Sequence, residues 1–173
     1  GANKIARFVR FCDAFSIPVV TLLDCEGFMG GALDEANGSL KAVSALTMAY
    51  AEATTAKVTV IVGKAYGAAY TAMAGAASGA DVVLSLCTAA ICPLEPMTAV
   101  QFLYKDRLDG SNREELEKEY AANEGSAFKA AENGAVNEIV TADTIATKVI
   151  AALDMLATKR VNTIEKKHSN MPF

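Results

Sequence analysis

Two apolar runs in this chain each end in a cluster of small residues and then lead into helical spacing, and this repeat constrains the fold more than any other feature. Residues 18–24 read PVVTLLD and are followed by the turn Glu26–Gly31. Residues 57–62 read KVTVIV and are followed by the turn Gly63–Ala69. Neither run alternates apolar with polar residues, so each is expected to be a strand covered on both faces, as in a parallel sheet. Two further short runs, Asp81–Leu86 and Ala89–Cys92, and a third at Val136–Val140, continue the pattern.

Between the strands lie helices. Ile5, Phe8, Val9, Cys12 and Phe15 recur at helical spacing over Asn3–Phe15, and Pro18 marks the stop. Leu33–Thr55 reads as one long helix, and small residues after Ala69 as a helix ending at Gly79. Met97–Asp106 is helical. Ser111 stands three residues before Glu114, a capping-box pattern that opens a polar helix over Arg113–Asn133. Thr144–Ala157 is amphipathic, and the basic tail from Arg160 is irregular. Strands alternating with helices predict an α/β domain with a mainly parallel sheet. At 173 residues without a linker or repeat, residues 1–173 form one domain.

Charge and composition narrow the function classes. The net charge is −4, which argues against nucleic acid or an anionic membrane as the main partner. Lys4, Arg7 and Arg10 interrupt any leader-like opening, and Ala65–Leu86 lacks the bulk of a spanning helix, so a soluble, cytoplasmic protein with no membrane insertion is expected. Cys12, Cys25, Cys87 and Cys92 form no C-x-x-C pair and have no nearby histidine; they are expected to be buried, reduced thiols, with no metal site.

Ligands of open α/β sheets gather at the carboxyl ends of strands, where both glycine-rich turns fall. The turn at Gly63–Ala69 opens directly into a helix, whose first N–H groups lack partners. This corner has two readings. It is an oxyanion hole built from main-chain amides, or it is a place where small side chains let a helix pack close to a sheet. Other chemistries lack their parts. The only histidine is His168, in the tail, and no phosphate-binding or dinucleotide motif is present. Glu26, Asp34 and Glu35 are candidates for acid–base work, or simple helix-start carboxylates. Asp24, which ends a strand, is a further catalytic candidate, though a cap or turn role is favoured.

The residues also carry a resemblance. ARFVRFCDAF at Ala6–Phe15, IPVV at Ile17–Val20, Asp24 with Gly27 and Phe28, AYAEAT at Ala49–Thr54, KVTVI at Lys57–Ile61, KAYG at Lys64–Gly67, Ala130–Val140 and the ending KKHSNMPF resemble the C-terminal half of the carboxyltransferase subunit of biotin-dependent acyl-CoA carboxylases and decarboxylases. That family includes propionyl-CoA carboxylase β and the α subunits of methylmalonyl-CoA and glutaconyl-CoA decarboxylases.

The resemblance implies a crotonase-like spiral of ββα units with C-terminal helices. It implies a biotin-facing half-site that moves carboxyl between carboxybiotin and the α-carbon of an acyl-CoA. The partners it implies are a biotin carboxyl carrier protein, an N-terminal carboxyltransferase half and further copies in a homo-oligomer, with self-association expected through an apolar patch on the last two helices. It places the oxyanion donors at the N–H groups of Ala68 and Ala69, and the substrate or biotin contacts at Gly27, Phe28, Gly30, Gly31, Tyr66, Gly67 and Thr71. The family's second motif glycine is Ala68 here, and its usual aspartate is Thr71, a position that helps select the acyl group. Gly30 stands for a proline, and Leu94–Val100 has lost two glycines. A non-catalytic assembly subunit and a stand-alone acyl-CoA hydratase or isomerase are the competing readings; the latter needs Glu26 and Glu35 beside the amides.

Overall fold

The computed structural model describes residues 1–73, 75–109 and 111–162, so His168 and the rest of the tail lie outside the described residues. The chain opens with α1 (Ala2–Ala14) and ends its first helix at Phe15, just before Pro18. Strands β1 (Val19–Cys25), β2 (Lys57–Tyr66), β3 (Val82–Leu86), β4 (Ala90–Cys92) and β5 (Glu138–Val140) follow close to the expected runs. They pair in the order β1-β2-β3-β5, all parallel, and β4 joins the far end of β2. The expected α/β architecture is therefore present.

β2 serves two neighbours in sequence. Val58–Ile61 pairs with β3, and Lys64–Tyr66 pairs with β4. Its register against β1 shifts between Leu23 and Cys25, which face Ile61 and Ala65. The shift falls just before the part of β2 that pairs with β4.

Three expected helices break where glycine or a cap intervenes. The stretch Leu33–Thr55 becomes α2 (Ala32–Ala36) and α3 (Ser39–Glu52), separated at Gly38, which takes φ +83°. The small-residue helix becomes α4 (Ala68–Ala72) and a 3₁₀ turn at Ala76–Ser78, ended by Gly79 at φ +91°. After α5 (Pro96–Leu103), the polar stretch divides into α6 (Arg113–Glu124) and α7 (Ala127–Glu132). The break falls at Gly125, and the Ser126 hydroxyl accepts the Lys129 N–H at 3.1 Å to start α7 anew. The Ser111 capping box does not form. The Ser111 N–H and hydroxyl both donate to Asp109 Oδ1 instead, and Asn112 precedes α6. The last helix, α8 (Ile145–Leu156), is as expected.

The two faces of the sheet carry different cores. Val19 packs with α1 and α3 through Val9, Cys12, Leu46 and Tyr50, and further along this face Leu23, Ile61 and Val83 meet Ala130 and Val136. α8 covers Val58, Val60, Leu84 and Val140 on the other face. β1 departs from expectation here. Its burial alternates, and Val20 and Leu22 are exposed, Leu22 by 65%. The reason is position. β1 is an edge strand, and α8 packs over β2, β3 and β5 without reaching it. Phe8 and Phe15, expected on the inner stripe of α1, also face solvent; Ala6, Val9 and Cys12 form that stripe. On the last two helices Phe128, Ile150 and Met155 are exposed. Cys12 and Cys92 are buried as expected, Cys25 is half-buried and Cys87 is exposed.

At the amino ends of the strands the chain is tied by buried charge. Lys57 Nζ donates to the carbonyls of Tyr50 and Ala53, at 2.6 and 2.8 Å, closing the C-terminus of α3. Asp81 Oδ2 accepts from Lys57 N and from Lys159 Nζ, both at 2.8 Å. One carboxylate thus joins β2, β3 and the segment after α8. Burial pushes the Lys57 pKa down, and neighbouring Lys159 pushes it the same way.

Candidate functional site

A cavity of about 460 Å3 opens at the carboxyl end of β2. That volume lies within the range of about 300–1,000 Å3 common for small-molecule sites. Three pieces of chain line it: Gly67, Ala68, Tyr70 and Thr71 from the start of α4; Ile91, Cys92 and Pro93 from β4 and its exit; and Glu124, Ala130, Asn133 and Ala135 from around α7.

The corner at Gly67 explains how α4 begins here. Gly67 takes φ +48° and ψ −118°, a conformation that costs a side-chain-bearing residue dearly. A Cβ at this position would also stand 2.9 Å from the Pro93 carbonyl oxygen. Gly67 N donates to Cys92 O at 2.9 Å, so the corner is pinned to β4. Ala68 and Ala69 are the first residues of α4, and their N–H groups have no acceptor within the helix. Among the described residues, no loop or strand carbonyl supplies one. Ala68 is exposed and borders the cavity, whereas Ala69 is fully buried behind it.

The remaining expected residues divide between this cavity and other places. Thr71 borders it, and its hydroxyl turns back to Gly67 O at 3.3 Å. Tyr66 lies beneath, packed with Cys92, Ala99 and Tyr120. The first glycine turn does not reach this cavity. Gly27 lines a second one, of about 480 Å3, with Asp24, Cys25, Glu26 and Lys64. There Glu26 pairs with Lys64, and this contact holds the lysine pKa above its ordinary value. Cys25 Sγ donates to Gly27 O at 3.2 Å. Phe28 is half-buried against the core between α1 and α3, and Gly30 and Gly31 are exposed. Asp34 and Glu35 stand in the first turn of α2, where carboxylates favour the helix N-terminus.

Sequence reasoning missed the far wall. Glu124, with its carboxylate, and Asn133, with its amide, border the cavity, and so does Cys92, whose thiol is buried. Burial pushes that thiol up to about 11, with the Glu124 charge adding to it. The break at Gly125 was the one available signal, because a Cβ there would stand 2.6 Å from Cys92 Sγ. The glycine lets the α6–α7 junction close on β4, where Ile91 N donates to Gly125 O at 2.9 Å.

Comparison with known proteins is consistent across sequence and structure. The carboxyl transferase domain family matches residues 1–171. The carboxyltransferase subunit of propionyl-CoA carboxylase from Haloferax mediterranei is 40% identical over 99% of this chain and 34% of its own length. The α subunit of methylmalonyl-CoA decarboxylase from Propionigenium modestum is 38% identical over 99% of this chain and 34% of its own. The chain thus spans about a third of the length of these curated relatives. A crystal structure of transcarboxylase 12S, a hexamer assembly with methylmalonyl-CoA and methylmalonic acid bound, superposes with a TM-score of 0.94. It is 36% identical and covers 99% of this chain and 34% of that one. The likeness places the fold in the crotonase-like class.

Proposed function

This chain belongs to the carboxyl transferase domain family, and we propose that it is the biotin-facing half of an acyl-CoA carboxyltransferase. The observation that carries this reading is the cavity at the Gly67 corner, where a helix begins with uncommitted N–H groups and Ala68 stands at the wall.

The residues present fit a cyclic urea. Ala68 offers a main-chain donor, and Ile91, Ala130 and Ala135 offer apolar sides for a fused ring. Biotin, carried on a partner protein, supplies a ureido nitrogen that gives up or takes the carboxyl group. This chain's part is to hold that head and polarise its oxygen. A donor fixed in advance stabilises negative charge without reorganising, and losing one such donor typically costs about 3–4 kcal/mol of transition-state stabilisation. Ala68 N–H is the donor at the cavity wall, and Ala69 N–H lies behind it. Gly67 keeps the approach clear. Thr71, at the rim, is placed to influence which acyl group lies opposite.

Acyl-CoA is the co-substrate of this reading, held by an N-terminal carboxyltransferase half. The relatives' names, propionyl-CoA carboxylase and methylmalonyl-CoA decarboxylase, support a short acyl chain. A biotin carboxyl carrier protein and a homo-oligomeric assembly complete the reading. The setting we propose is the cytoplasm; among the described residues no helix is long and apolar enough to cross a membrane. Glu26 and Glu35 do not border the cavity at Ala68, which leaves a stand-alone hydratase without its carboxylate pair.

The test uses the complete enzyme, with free biotin as acceptor and a carboxyl-labelled acyl-CoA as donor. Label is expected to leave the acyl-CoA only when biotin is present. Loss of label at the same rate without biotin, or no transfer at all, would overturn the reading.

A further inference from the structure

The two long walls of the Gly67 cavity come from distant parts of the chain, residues 67–71 and 130–135, and one side chain bridges them. Tyr70 sits on the first wall. Its hydroxyl donates to Ala135 O, on the second, at 2.7 Å. The same oxygen accepts Ala76 N–H at 3.3 Å. Among the described residues, no other hydrogen bond runs directly between these two walls.

The ring is held as firmly as the hydroxyl. It joins the core that contains Leu23, Ile61 and Ala130. Gly75 lies against it, so closely that a Cβ there would stand 2.8 Å from two ring carbons. Gly75 N in turn donates to Tyr70 O at 3.1 Å. The ring therefore packs close against the residue that opens the 3₁₀ turn, and its hydroxyl reaches across to Ala135.

We propose that Tyr70 is a positioning residue that sets the width of the cavity by holding the α4 wall and the Ala130–Ala135 wall at a fixed separation around the ligand head. This deepens the biotin-side reading and rests on it. A flat bicyclic head gains from a slot of fixed width, because the geometry of the donor at Ala68 relative to the opposite wall is then set before the ligand arrives. Tyr70 acts through those walls, with no role assigned to it at the reacting atoms.

The experiment measures carboxyl transfer by the complete enzyme with free biotin as the varied substrate, then with acyl-CoA as the varied substrate, for wild type, Tyr70→Phe and Gly75→Ala. Tyr70→Phe keeps the ring and removes the strut. It is expected to raise KM for biotin by about tenfold, the scale of one hydrogen bond in a binding equilibrium, with KM for acyl-CoA unchanged. Gly75→Ala keeps the hydroxyl but displaces the ring, and is expected to shift KM for biotin in the same direction. A lowered thermal midpoint with KM for biotin unchanged in both variants would overturn the proposal, since the tyrosine would then serve the core alone. Equal rises in both KM values would overturn it as well. If wild type itself moved no carboxyl to biotin, the functional reading would fail and the strut proposal with it. Normal wild-type transfer with an unaffected Tyr70→Phe would sink the strut proposal alone.

Discussion

Asp24 and Gly63 share one space: the aspartate carboxylate occupies the position that a side chain at residue 63 would need. Its Oδ1 accepts the Lys64 N–H at 2.8 Å, so the carboxylate holds β2 just where its register against β1 shifts. Gly63→Ala is expected to destabilise the fold by about 1–3 kcal/mol, the usual scale for overpacking. Asp24→Ala should recover part of that loss. A double-mutant cycle by denaturant unfolding checks it, with a coupling of about 1 kcal/mol or more expected for residues in contact. Additive effects would show that the two do not compete.

Ala68→Pro removes the donor at the cavity wall from the first position of a helix, where proline is well tolerated. Carboxyl transfer by the complete enzyme is expected to fall by about 10²–10³-fold. The thermal midpoint should move little. Normal transfer with an intact fold would remove Ala68 from the mechanism.

The Cys92 thiol gives a pH signature. Its pKa in the folded chain is about 11, against an ordinary value near 9, because burial opposes the thiolate. Below pH 9 both states hold the proton and stability is unaffected. Between pH 9 and 11 the unfolded thiol ionises while the folded one does not, so stability falls, by up to about 2–3 kcal/mol. Unfolding of wild type and Cys92→Ala at pH 8 and 10.5 measures the difference, which should shrink at the higher pH. Alkylation should also modify exposed Cys87 well before Cys92.

Leu22 leaves an apolar surface on the edge strand. We expect Leu22→Glu to favour the monomer when the chain is studied alone, as read by sedimentation across a concentration series. The same distribution for both forms would show that this face takes no part in self-association.

Much of the scaffold was legible in the sequence because its signals are local. Val9 and Cys12 repeat at helical spacing, and the runs at Val58–Ile61 and Val82–Leu86 are mainly apolar strands, each with one small hydroxyl residue, Thr59 or Ser85. The breaks at Gly38 and Gly125 also have local causes, a left-handed conformation and a serine cap, but each was outweighed by continuous helical composition around it. The exposure of Val20 and Leu22 was not legible. β1 and β2 are equally apolar, and only the path of α8 decides which one it covers. The site divides in the same way. Gly67, Ala68 and Thr71 stand together because they are neighbours in sequence. Glu124, Asn133 and Ala135 join them through packing of α7 against β4 and β5, which no local pattern reports. Phe28 shows the converse: a turn beside a strand end placed its aromatic ring in the core, away from the Gly67 cavity.

The knot of Lys57, Asp81 and Lys159 lies at the opposite end of the sheet from the Gly67 corner. On the proposed reading, anchorage and recognition therefore fall at different poles of the same strands. Loops at the recognition pole can change length and chemistry while the anchoring pole keeps the strands in register, which makes this scaffold a tolerant one for drift in ligand preference.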